Sequence, residues 1–338
     1  MNRGTSTAEW HRSRRTRAWL LALSCAALAA VSAGAGKGAR AKAVRVAPGS
    51  AEDHVNRGER YLRAGNWDAA IAEERAAIRL KPKSAAAHNN LGVALRAKGD
   101  LTGALAEYRE AVRLKPDDAE AHSNLGVLLR ARADLDGAIR EYRIALRLQP
   151  DSAEVHNNLG VALADQGDAE GAIREYGHAV SLRPDDAEAH HNLGVALAGK
   201  SHWTTAIAEE REALRLKPDY AEAHLGLGVA LSGAGDWAGA VAELRQAVRL
   251  APNDVRTHSN LGFALGKQGQ WEAAAAEARE AVRLAPGDGR AHFALALDLE
   301  HQGNREAALG EYRRAAEIEP GNAEYRGAVE RTSLQPPL

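Results

Sequence analysis

Apolar and polar positions along this chain keep the spacing of helices, and the same arrangement returns at a fixed interval. Leu91, Gly92 and Leu95 lie at i, i+1 and i+4, one stripe of a helix face. Ser84 precedes that stripe as an N-cap, and Gly99 follows it, able to stop the helix in a left-handed conformation. Asp100 caps a second helix. On it Ala104 and Ala111 share a face and let two backbones approach closely, while Gly92 does the same from the first helix. Pro116 cannot continue the second helix and enforces the break. The pattern predicts a helix pair over 85–115.

The pair recurs. Pro82, Pro116, Pro150, Pro184, Pro218, Pro252, Pro286 and Pro320 lie 34 residues apart. Histidines keep the same phase, from His54 and His88 through His122, His156, His190, His224 and His258 to His292. So does an alanine, from Ala70 to Ala308, with a second seven residues on, from Ala77 to Ala315. Asp118, Ser152, Asp186, Asp254 and Asp288 repeat the capping position of Ser84. One such hairpin cannot bury its apolar stripe, whereas stacking on the next one does, so stability is spread along the row.

These residues resemble the tetratricopeptide (TPR) repeat family. Its pattern sets Leu-Gly on a first helix, small alanines on a second and a closing proline within one unit. The resemblance covers 51–320, and it implies an all-α fold: a right-handed α-solenoid of eight 34-residue helix-turn-helix repeats. Arg57 stands where the pattern wants Leu, and Ala296 where it wants Gly. The aromatic of the second helix is present as Tyr108, Tyr142, Tyr176 and Tyr312. Glu74, Glu210, Leu244 and Ala278 replace it elsewhere, and looser packing is expected there. Trp67, Trp203, Trp237 and Trp271 recur just after the turn, a position suited to packing between repeats or to an aromatic ligand platform. Residues 321–338 form no full repeat. Asn322, Tyr325 and Val329 fit a capping helix with Arg326, Glu330 and Arg331 outward, ahead of a short tail.

Composition separates the N-terminus from the rest. The whole chain has a formal net charge of −1, which offers no bulk attraction to nucleic acid. Residues 1–35 carry +4 and the remainder −5. Arg12, Arg14, Arg15 and Arg17 precede an uncharged run over 18–33 and small residues ending in Ala33 or Ala35, the layout of a signal peptide over 1–35. Residues 36–50 read as a flexible linker. The expectation is export, to a bacterial periplasm or cell surface. The alternative is an anchor retained over 18–33, the one route to membrane association. Cys25 is the only cysteine, so a cleaved chain has no thiol chemistry.

In the TPR family the first helices line a concave groove. The resemblance places Asn56, Asn90, Asn124, Asn158, Asn192 and Asn260 there, with breaks at Gly226 and Ala294. Asparagine is a poor mid-helix residue, and its amide offers both a donor and an acceptor to an extended peptide backbone. A similar asparagine ladder grips peptide backbones in the TPR region of protein O-GlcNAc transferases. The surrounding words here are His88-Asn89-Asn90-Leu91-Gly92 and His156-Asn157-Asn158-Leu159-Gly160. Shared ancestry of the repeats explains the ladder as well. Glu52, Glu120, Glu154, Glu188 and Glu222, then Arg256 and Arg290, edge the groove.

The histidines, one helix width apart, are too far from each other to share a metal ion and are expected to take the place of the family's aromatic packing residue. The chain has no phosphate loop, Gly-x-Ser-x-Gly, His-Glu-x-x-His or cysteine pair. Its carboxylates are expected on solvated faces beside arginine, as at Glu107, Arg109, Glu110 and Arg113. No catalytic residue, metal or cofactor is expected. The reading is a non-enzymatic scaffold or adaptor that binds an extended segment of a protein or peptide partner. The alternatives are a substrate-binding subunit for a separate glycosyltransferase and a self-assembling structural envelope protein.

Overall fold

The computed structural model describes residues 47–334. The signal peptide read over 1–35, with the anchor alternative at 18–33, lies outside the described residues, as do most of the linker and residues 335–338. All regular structure among the described residues is helical. No helix there is long and apolar enough to cross a membrane.

The chain divides into two compact units at Arg183 and Pro184. The first holds four hairpins: α1 (Ala51–Arg63) with α2 (Trp67–Leu80), α3 (Ala85–Ala97) with α4 (Leu101–Leu114), α5 (Ala119–Ala131) with α6 (Leu135–Leu148), and α7 (Ala153–Gln166) with α8 (Ala169–Leu182). The second holds α9 (Ala187–Gly199) with α10 (Trp203–Leu216), α11 (Ala221–Ala234) with α12 (Trp237–Leu250), α13 (Val255–Lys267) with α14 (Trp271–Leu284), and α15 (Gly289–His301) with α16 (Arg305–Ile318). The single helix α17 (Ala323–Leu334) follows. Within each unit the two helices of every hairpin pack on each other, each second helix packs on the first helix of the next hairpin, successive first helices also touch, and α17 packs on α16.

Local signals account for the helix ends. Ser84 Oγ accepts from Ala87 N, Asp118 Oδ1 from Ala121 N and Asp186 Oδ1 from Ala189 N at the starts of α3, α5 and α9. Asp100 Oδ1 accepts from Gly103 N at 2.8 Å at the start of α4. Gly99, at φ +84°, makes the left-handed turn between α3 and α4. Ala70, Ala104, Ala138, Ala172, Ala206, Ala240, Ala274 and Ala308 have no exposed surface, so the small side chains do set the distance between helices.

The rings of Tyr108, Tyr142 and Tyr176 pack against glycines of their own first helices. A Cβ added at Gly92, Gly126 or Gly160 would come within 2.7 Å of the ring. The looser packing expected at Glu74, Glu210, Leu244 and Ala278 is not found: all four are buried as deeply as the tyrosines. The carboxylate stems fill the ring's space because Gly58, Gly194 and Gly226 leave room for them. The tryptophans pack between repeats. Trp67 packs against the cluster of Leu62, Ala70 and Ala94, Trp203 covers Gly233, Trp237 meets Phe263 edge-on at 6.0 Å, and Trp271 stacks on His301 at 3.9 Å. Arg57, the departure from Leu, pairs with Asp53 and with Glu73 at 3.0 Å.

Candidate functional site

The first-helix face of each unit is held in place by the histidines. In every repeat the histidine Nδ1 lies 2.5–2.7 Å from the carboxylate nineteen residues on, from His54 with Glu73 to His292 with Glu311. From His88 to His292 the Nε2 also lies 3.0–3.2 Å from the carbonyl of the preceding proline, as His122 does from Pro116 O at 3.0 Å. Both neighbours offer acceptor oxygens to the ring, a carboxylate at Nδ1 and a backbone carbonyl at Nε2. One ring therefore ties the first turn of a first helix to its second helix and to the inter-repeat turn. The histidines are packed, as expected, but they act as polar clamps as well. Glu107 accordingly is not one of the solvated carboxylates; it is His88's partner. The signal for this was present in the sequence as an in-phase glutamate at Glu73, Glu107, Glu141, Glu175, Glu209, Glu243, Glu277 and Glu311.

The six predicted asparagines occupy different settings. In the first unit Asn56 is exposed, while Asn124 and Asn158 are half-buried. Asn124 Nδ2 donates to Asn89 Oδ1 at 3.1 Å, and Asn89 Nδ2 donates to Glu120 Oε1 at 3.3 Å, an amide relay from α5 to α3 and back. Asn90 is 8% exposed and its Nδ2 donates to Glu74 Oε1 at 3.0 Å. That amide serves a buried carboxylate before it can serve a ligand. In the second unit Asn192 is half-buried, and Asn260 Nδ2 donates to Arg256 O of its own helix at 2.8 Å. Among the described residues no group of three or more His, Cys, Asp or Glu side chains is arranged to hold a metal ion.

Sequence reasoning missed the buried carboxylates. Burial pushes Glu74 up to about 8, opposed by the Asn90 hydrogen bond, and its Oε2 has no hydrogen-bond partner. Burial also raises Glu210, opposed by the charge and hydrogen bond of His191, whose Nδ1 lies 2.9 Å from Glu210 Oε2. Glu210 explains the break in the ladder at Gly226: a Cβ there would lie 2.1 Å from its Oε1. The signal was glutamate at the tyrosine position.

The edges of the face differ in charge. Glu120 and Glu188 are raised, first by desolvation and then by Asp118 and Asp186 beside them. Arg256 is spoken for by Asp254, within 3.0 Å through Nε, and Arg290 reaches Asp288 at 3.2 Å. The two arginines of the basic edge are thus each paired with the aspartate that precedes their helix.

Comparison with known proteins bears on this geometry. Models of the tetratricopeptide repeat match residues 55–119 and 260–323, a TPR repeat model matches 128–167, 162–201 and 234–269, and a further tetratricopeptide repeat model matches 221–246. No curated protein matches. Among solved structures the chain is similar to the APC/C hetero-tetramer Cut9–Hcn1 (18% identity over 84% of this chain and 54% of that one, TM-score 0.61). It is also similar to Pseudomonas aeruginosa pilF (21% identity, 61% and 94% covered, TM-score 0.57). A third is a tetratricopeptide repeat protein from Parabacteroides merdae (17% identity, 73% and 97% covered, TM-score 0.56). The chain spans about half the length of the first of these, 54%. At these identities the likeness is one of fold.

Proposed function

Since the chain belongs to the tetratricopeptide repeat family, we propose that it is a non-enzymatic scaffold that holds an extended segment of a partner protein on the first-helix faces of its units. The observation that carries this reading is the relay of Asn124, Asn89 and Glu120. It fixes the amides on the face, yet leaves Asn124 a second N–H and its carbonyl oxygen for a peptide unit. Each hydrogen bond to a ligand adds only about 0.5–1.5 kcal/mol, so affinity comes from number. The acidic edge at Glu52, Glu120 and Glu154 favours a segment with basic side chains, which would also relieve the desolvation of Glu120.

The test is partner capture by the parent chain beside a variant with Asn56, Asn124, Asn158 and Asn192 changed to Ala. Asn90 is left in place because its change would uncover Glu74. Equal helical content by circular dichroism is the control. A partner retained by the parent and lost by the variant supports the reading; identical retention sinks it.

A further inference from the structure

Asp298 occupies a core position. In five other repeats the equivalent residue, Ala94, Leu128, Ala162, Ala230 or Ala264, has no exposed surface, while Ala196 is half-buried and Arg60 of the first repeat is exposed. Asp298 is itself only 8% exposed, and among the described residues its carboxylate has neither a hydrogen-bond donor nor a cation. Burial alone pushes it up to about 7. Glu74 and Glu210, the other carboxylates at core positions, each have a donor in Asn90 and His191. An unpartnered buried carboxylate costs stability, and the alanine of the other repeats would remove that cost.

The carboxylate points at a gap. Asp298 Oδ1 lies 3.4 Å from where a side chain at Gly266 would begin, and Trp271 Cζ3 lies 3.4 Å from the same point. One turn back along α13, on the same side of the helix, Phe263 is 44% exposed. Basic and imidazole side chains on α13, α15 and α16 make other contacts. Lys267 Nζ sits over the Phe263 ring at 5.2 Å, His301 stacks on Trp271, and Arg305 Nε donates to Thr332 O at 3.1 Å.

We infer that Asp298, with the gap at Gly266 and the Trp271 ring beside it, seats a lysine ammonium of the bound partner segment, with Phe263 under its aliphatic stem. The inference rests on the first-helix face being the binding surface. A charge-assisted hydrogen bond and a ring beside the cation supply the recognition, and the apolar stem suits lysine.

The test uses the full chain and short Gly/Ser/Asn peptides bearing one lysine or, in its place, norleucine. The parent should bind the lysine series about tenfold more tightly. Asp298→Asn and Asp298→Ala should bind both series alike, and Asp298→Ala should melt higher than the parent. In a second arm, butylammonium chloride should raise the parent's melting temperature above that in equal sodium chloride, and leave Asp298→Ala unmoved. Equal binding of the two series by the parent overturns the lysine seat and leaves the binding face standing. Binding of neither series overturns the face for such segments, and with no butylammonium effect the seat falls too.

Discussion

At the scale of single residues, the tyrosine position of the second helix shows how one side chain sets local energetics. Tyr108 over Gly92 leaves no room for a methyl group, so Gly92→Ala should destabilise by about 1–3 kcal/mol despite the better helix propensity of alanine. At Gly262 the facing residue is Ala278, and a Cβ would meet Ala274 O at 3.3 Å and Glu277 Cβ at 3.5 Å. Gly262→Ala should therefore cost less, and thermal melts of the two variants check the order. Glu74 makes the position pH-sensitive. Its native pKa, about 8, is above the usual 4.5 of a glutamate, so the native state holds the proton more tightly than the unfolded chain. Its stabilising contribution is complete below about pH 4.5 and is lost as pH rises through 8. Glu74→Gln should remove that loss, on the order of a few kcal/mol across the window. Melting curves of parent and variant at pH 5 and pH 8 check it: the two should diverge as pH rises, the parent falling.

At the scale of helices, the hairpin is fastened by polar contacts as well as apolar ones. His122 joins the start of α5 to Glu141 on α6 and to Pro116 O in the preceding turn. His122→Phe keeps ring volume and removes both contacts, and should cost about 1–3 kcal/mol. It should also speed amide hydrogen exchange around 117–122 more than around 85–90, a difference that exchange mass spectrometry would read. The hairpins themselves were legible in the sequence, because Pro82 to Pro320 and the caps at Ser84, Asp100 and Asp118 state their ends by local chemistry. The clamp was less so. His88 and Glu107 belong to different helices, and only the phase shared across repeats could link them. Least legible were the burials. No immediate neighbour of Glu74, Glu210 or Asp298 in the chain marks them as core; Glu74 and Glu210 pack against Gly58 and Gly226 of other helices. The same reason limited the asparagine reading. Asn90 and Asn124 look alike in sequence, and only the carboxylate that packs beside Asn90 sets them apart.

At the scale of the molecule, two units present first-helix faces of unlike chemistry. The first carries the amide relay and the acidic row of Glu52, Glu120 and Glu154. The second replaces an asparagine rung by Gly226 over Glu210 and exposes Phe263. The opposite surface of the first unit carries exposed Arg75, Arg109 and Arg143 on second helices, a basic stripe that competes as a docking site. The most direct test of the binding face is a photo-cross-linking scan in the full chain with the partner captured above. A photoreactive phenylalanine analogue would replace in turn Val93, Val127 and Val161 on first helices, and Arg75, Arg109 and Arg143 on second helices. The account predicts partner adducts at the three valine positions and none at the arginines. Adducts at the arginines alone would contradict it and move the binding surface to the second helices.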